Sequence, residues 1–157
     1  MTIPLVGLHA WFGEFGALMF VWAFIELYSG KDTNINRARF AVLMGTMFLV
    51  AAWLAGGFYY TQIYGIDVKP LIKAGPLPWV HSVALETKEH VFLFLPFLAV
   101  LTWGLMQRYD HAMSSDLRAR KAGLLATGSI VVLAGGMAFA GFLVSSGYRM
   151  ALEALIK

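Results

Sequence analysis

The chain has 157 residues, of which 59 % are hydrophobic and 13 % charged, with a net charge of +3. An average soluble domain is about 25 % charged. A soluble protein of this size cannot hide so much apolar surface, so the composition predicts contact with lipid. Lysines and arginines lie in short connections between apolar runs, which is typical of membrane proteins and not of nucleic-acid-binding proteins. The chain has no cysteine, which excludes disulfides, thiolate metal sites and covalently attached c-type haem.

Four segments are long and apolar enough to cross a bilayer, which takes about 20 helical residues. They are residues 5–28, 38–63, 87–109 and 122–146. Basic residues concentrate in the first and third connections, so both connections are expected in the cytoplasm. The sequence therefore predicts an all-α integral membrane protein with four transmembrane helices and both termini outside. We expect it in the plasma (inner) membrane of a prokaryote.

The two halves of the chain are related by an internal repeat with a spacing of 81 residues. Residues 9–58 and 90–139 share eleven identities, which include His9 with His90, Trp22 with Trp103, and Tyr28 with Tyr109. We interpret the chain as a tandem duplication of a two-helix unit within one membrane domain. Repeat one is 1–64, a proline-rich outer lid loop is 65–80, and repeat two is 81–157. Such a repeat implies a pseudo-two-fold axis along the membrane normal, with helices one and three equivalent.

The equivalent histidines His9 and His90 are candidate ligands of one b-type haem near the outer face. Such a haem needs two imidazoles from facing helices and small residues beside its edge. The glycines expected to provide this room are Gly13, Gly16, Gly56 and Gly57. The alternative is that both histidines are interfacial side chains bonded to water or to a carboxylate.

A non-haem metal site is the competing interpretation. His81, Glu86, Glu89 and His90 gather near the start of the third helix, and with His9 they could supply ligands for Zn, Fe or Cu. However, the two acids are equally explained by their position at a helix N-terminus, where the helix dipole stabilises negative charge.

Two glutamates lie within or beside the first apolar segment. Glu14 is a candidate proton carrier or quinone hydrogen-bond partner, or a neutral acid bonded to a neighbour, because an unpaired carboxylate is costly within a membrane. Glu26 is expected to pair with Arg37 or Arg39.

The four-helix layout, with His9 and His90 near one membrane face, resembles the small four-helix membrane b-type cytochromes and the haem-bearing anchor subunits of respiratory complexes. The resemblance implies a haem with a quinone close by. The leading hypothesis is an electron-transfer subunit, at most a non-catalytic part of an oxidoreductase complex, that exchanges electrons with quinol. The alternatives are a cofactor-free accessory subunit of a larger membrane complex, and a small transporter or metal-handling protein. Expected partners are the lipid bilayer and other membrane subunits or further copies of this chain, but not nucleic acid.

Overall fold

The computed structural model describes residues 5–29 and 32–156, and every regular element within them is helical. The α-helices are α1 (Leu5–Ser29), α2 (Asp32–Tyr59), α3 (Lys69–Ala74), α4 (Glu86–Arg108), α5 (Asp110–Ser115) and α6 (Leu117–Ala154). Two π-helical segments, Tyr60–Val68 and Val80–Leu85, flank the turn that follows α3. Within these residues, four helical stretches are long and apolar enough to cross a membrane, which confirms the prediction of an all-α chain with four such helices.

The four long helices form a bundle in which α1 and α4 each pack against both α2 and α6. This arrangement places α1 and α4 on one diagonal and α2 and α6 on the other. The core between them is apolar, and Phe20, Leu27, Val42, Met106 and Ile130 are among its fully buried side chains. Helices suit these segments because each backbone N–H finds its acceptor within its own segment, as a bilayer requires.

The chain between α2 and α4 differs from the predicted lid loop. The helix that begins as α2 continues through the first π-helical segment into α3, and only residues 75–79 reverse the chain. Pro70 lies in the first turn of α3, a position at which an α-helix tolerates the missing backbone N–H of proline. Together with the end of α6, these segments form an extension of the bundle with its own small apolar cluster: Tyr64, Val68, Ile72, Val80 and Leu85. We call the end of the bundle that carries this extension, where α1 begins and α6 ends, the termini end.

The buried faces of α2 and α6 follow the 81-residue repeat of the sequence. Buried positions on α2 correspond at that spacing to buried positions on α6: Val42 with Gly123, Thr46 with Thr127, and Leu49 with Ile130. Both threonines donate a hydrogen bond of 2.8 Å to the carbonyl four residues earlier in their own helix.

The buried faces of α1 and α4 depart from that repeat by two residues. They correspond at a spacing of 79: Gly16 with Leu95, Phe20 with Ala99, Ala23 with Thr102, and Leu27 with Met106. Two residues turn a helix by about 200°. A residue of α1 and its partner 81 positions later therefore point in nearly opposite directions relative to the core.

Candidate ligand-binding site at the termini end of the bundle

His9 lies on the inward face of α1, two turns before the buried Gly16. Its Nδ1 is 2.9 Å from the carbonyl oxygen of Ala52 on α2. A carbonyl can only accept, so Nδ1 carries the proton in this bond and Nε2 keeps its lone pair. An imidazole held in this way, with one nitrogen on a backbone carbonyl, is the usual arrangement of a histidine that ligates a metal through the other nitrogen.

Gly56 on α2 makes the position of the imidazole possible. A Cβ atom at residue 56 would lie 2.6 Å from Nδ1 of His9 and 3.2 Å from Cζ of Phe92. The rings of His9 and Phe92 meet edge to face, with centroids 5.2 Å apart and planes at 82°. The imidazole itself therefore occupies the space above this glycine.

The other three predicted glycines have different surroundings. Gly13 lies one turn below His9 on the inward face of α1, and a Cβ atom there would meet nothing within 4 Å. The interior of the bundle is therefore open beside this residue. The space beside Gly16 is filled by the Leu49 side chain, whose Cδ2 would lie 2.9 Å from an added Cβ. Gly57 is exposed and borders open space.

Lys88 is the residue of α4 that shares the bundle interior with His9. It lies on the inward face of α4, one turn before Phe92 and two turns before the buried Leu95. Its side chain is half-buried, and its Nζ would lie 2.9 Å from a Cβ atom added to Gly141 of α6. His9 therefore packs on a glycine of α2, and Lys88 packs in a similar way on a glycine of α6, on opposite sides of the interior.

His90 lies on the outward face of α4 and is exposed. Its Nδ1 donates to the carbonyl oxygen of Glu86 in its own helix, at 2.6 Å. Because Phe92 faces His9 and lies about 200° around the helix from His90, the two histidines are not brought together. The inward position of α4 near the start of the helix is therefore taken by Lys88 and not by His90. The physical reason is the two-residue shift between the buried faces of α1 and α4.

The residues predicted for a non-haem metal site are also separated. His81 is buried in the extension, where its Nδ1 lies 3.0 Å from the hydroxyl oxygen of Tyr64. Glu86 is exposed. Within residues 5–29 and 32–156, no group of three or more His, Asp or Glu side chains is placed to hold a metal ion.

The two glutamates of α1 have opposite surroundings. Glu14 is exposed on the outward face of the helix, beside the exposed Trp11 and Leu18. Glu26 is buried and accepts a hydrogen bond of 2.8 Å from the indole of Trp22. It also lies 3.5 Å from the guanidinium of Arg37, which confirms the expected pairing.

The termini end therefore combines an imidazole nitrogen, an ammonium group and open space inside an apolar bundle. This combination suits a ligand with a metal or carbonyl centre and an anionic substituent. The sequence alone predicts haem propionates that point toward Lys88, Arg149 or the lid loop. That Lys88 lies on the inward face follows from the buried positions Leu95, Ala99 and Thr102 of α4, which only the structure shows.

No protein-family model, curated protein or solved structure matches this chain.

Proposed function

We propose that the protein is an electron-transfer subunit of a membrane assembly and holds one b-type haem inside the termini end of the bundle. His9 would hold the iron of this haem. The observation that carries the proposal is the fixed imidazole: Nδ1 is held by the carbonyl of Ala52, while the lone pair of Nε2 stays available to iron.

Other residues of the site suit the same cofactor. The open space beside Gly13 adjoins the imidazole on the inward face of α1. Phe92 would give the haem an apolar neighbour, and the apolar core of the bundle would exclude water from it. Burial of this kind is one of the means by which a protein sets the reduction potential of a haem. The bound haem would supply one-electron redox chemistry. The residues do not suit a haem held between His9 and His90 of one chain, because His90 points away from the interior.

The location of the site supports an exchange of electrons across the membrane surface. The basic first and third connections predict that the termini end faces the outer side of the membrane. A haem at that end would accept electrons from a quinol in the bilayer and pass them to a partner on the outer face. The chain itself would be a non-catalytic subunit, since its part in this exchange is to bind and orient the haem.

An absorption spectrum tests the proposal most simply. Protein purified in detergent from haem-replete cells is examined oxidised and after dithionite reduction, with a pyridine haemochrome assay of the bound haem. We expect a b-type spectrum in the wild type and in His90→Ala, and its loss in His9→Ala. A colourless wild type would refute the proposal, and loss of the spectrum in His90→Ala alone would refute the assignment of His9.

A second candidate function is a cofactor-free accessory subunit that packs against other membrane subunits or against further copies of this chain. The observation that favours it is the exposed Glu14 on an otherwise apolar face of α1, because a carboxylate that faces lipid is costly and a neighbouring subunit could pair with it. Gly135 and Gly136 are exposed on α6 with open space above them, which would allow another helix to approach closely. A colourless protein that co-purifies with a stable membrane complex would support this function.

A further inference from the structure

We infer that Lys88 binds the carboxylate of the ligand held at the termini end, and that this ligand is therefore an apolar, anionic cofactor with its acid group inside the bundle. For a b-type haem, that group is a propionate. This inference rests on the proposed function, because it assigns the second polar contact of the same site.

The position of Lys88 on α4 is set by the core. The buried residues Leu95, Ala99, Thr102 and Met106 follow one another at intervals of four, three and four residues. Continued towards the start of the helix, the same intervals reach Phe92, which contacts His9, and then Lys88. A lysine at this register begins on the inward face of α4 and not on the outward face, where His90 lies, and its side chain is half-buried.

Among the described residues, no acid forms an ion pair with Lys88. Its Nζ rests against Gly141 on α6, where a side chain of any size would displace it. His9 cannot neutralise the charge of Lys88, because a neutral imidazole carries no negative charge and its Nδ1–H already donates to the carbonyl oxygen of Ala52. Of the nearest acids along α4, Glu86 is exposed, and Glu89 lies about 100° around the helix from Lys88 with its Oε1 buried and without a hydrogen-bond partner.

An ammonium group placed in an apolar interior needs an anionic partner, because its lost hydration is costly. The described residues on the inward faces of α1, α2 and α6 near Lys88 include an imidazole and glycines but no carboxylate. A ligand carboxylate would supply the missing charge. The ligand that bonds to Nε2 of His9 would then also be anchored at its acidic edge, which fixes its orientation in the bundle.

Haem and its dimethyl ester test this inference, because they differ only in whether the propionates carry charge. Both are titrated into protein produced in haem-deficient cells, and binding is followed by absorption. We expect the wild type to bind haem at least about tenfold more tightly than the ester, since each tenfold corresponds to about 1.4 kcal/mol. Lys88→Met should bring the two affinities together, whereas Lys88→Arg should keep the preference.

Controls separate this inference from the proposed function. Lys121→Met removes an exposed lysine far along the chain from the site and should leave the preference unchanged. His9→Ala should weaken the binding of both compounds. Equal affinities in the wild type would overturn the role of Lys88 while leaving the haem proposal intact, and this comparison needs no variant to fold. Failure of the wild type to bind either compound would overturn both proposals.

Discussion

The substitution Gly56→Ala tests the packing of His9 against α2. A Cβ atom at this position would lie 2.6 Å from Nδ1 and 2.9 Å from Cε1 of the imidazole, and 3.2 Å from Cζ of Phe92. Contacts under 3.0 Å do not persist, so the ring must move away. The movement would lengthen the hydrogen bond from Nδ1 to the carbonyl of Ala52, which is now 2.9 Å.

The expected cost is the balance of three effects. Overpacking of a close contact costs about 1–3 kcal/mol. Loss of the hydrogen bond from His9 to Ala52 costs about 1 kcal/mol. The higher helix propensity of alanine returns about 1 kcal/mol. We therefore expect Gly56→Ala to lower the free energy of unfolding by about 2 kcal/mol.

Reversible unfolding in mixed micelles, followed by far-UV circular dichroism as the fraction of SDS is raised, measures this free energy. Gly57→Ala is the matched control: the two glycines are adjacent on the same helix, but an added Cβ at Gly57 meets nothing within 4 Å. This control should be neutral or stabilising by up to about 1 kcal/mol. The cost of Gly56→Ala should largely disappear when His9 is also replaced by alanine. Equal stabilities of Gly56→Ala and Gly57→Ala would refute the reasoning.

Two further predictions concern buried hydroxyl groups and use the same unfolding measurement. Tyr64→Phe should cost about 1–3 kcal/mol, because it leaves Nδ1 of the buried His81 without its partner; Tyr28→Phe is the control at an exposed position, and equal effects would contradict the prediction. Thr46→Val should cost about 0.6 kcal/mol more than Thr127→Val, because Thr46 also donates to a backbone carbonyl of α4 at 3.2 Å, whereas Thr127 bonds only within its own helix. A larger cost for Thr127→Val would show that the contact with α4 contributes nothing.

The class of fold could be predicted from the sequence because length and apolar content are sufficient for it. Each transmembrane helix needs only an uninterrupted apolar run, and all four runs are present. The local pairing of Glu26 was also predictable. Its acid lies at the end of α1 and Arg37 near the start of α2, and the short link between the helices keeps the two ends together.

The extension could not be predicted because a proline-rich segment is usually a sign of a loop. Pro70 breaks a helix only where its missing N–H and its ring disturb an established turn. Here the turn before it is π-helical, and Pro70 falls in the first turn of the α-helix that follows. The tight reversal is confined to residues 75–79. At Gly75, an added Cβ would lie 2.7 Å from Cβ of Ala151, so the turn packs directly on the end of α6.

The rotation of α4 was beyond sequence reasoning for a different reason. The helix is apolar on nearly all sides after Glu89, so the period of its apolar residues does not identify an inward face. The match of His9 with His90 in the sequence suggests an inward face that contains His90. Packing instead sets the buried face two residues away, and this shift exchanges a histidine for Lys88 at the interior position.

The rotation of α4 is the central claim, and a scan of spin-label accessibility tests it most directly. Because the chain has no cysteine, single cysteines can be placed from 88 to 102 and labelled in a lipid bilayer without background. The account predicts that accessibility to oxygen is lowest at Lys88, Phe92, Leu95 and Ala99, and high at His90. Minima at His90, Phe94 and Phe97 would contradict it, and would return His90 to the interior beside His9.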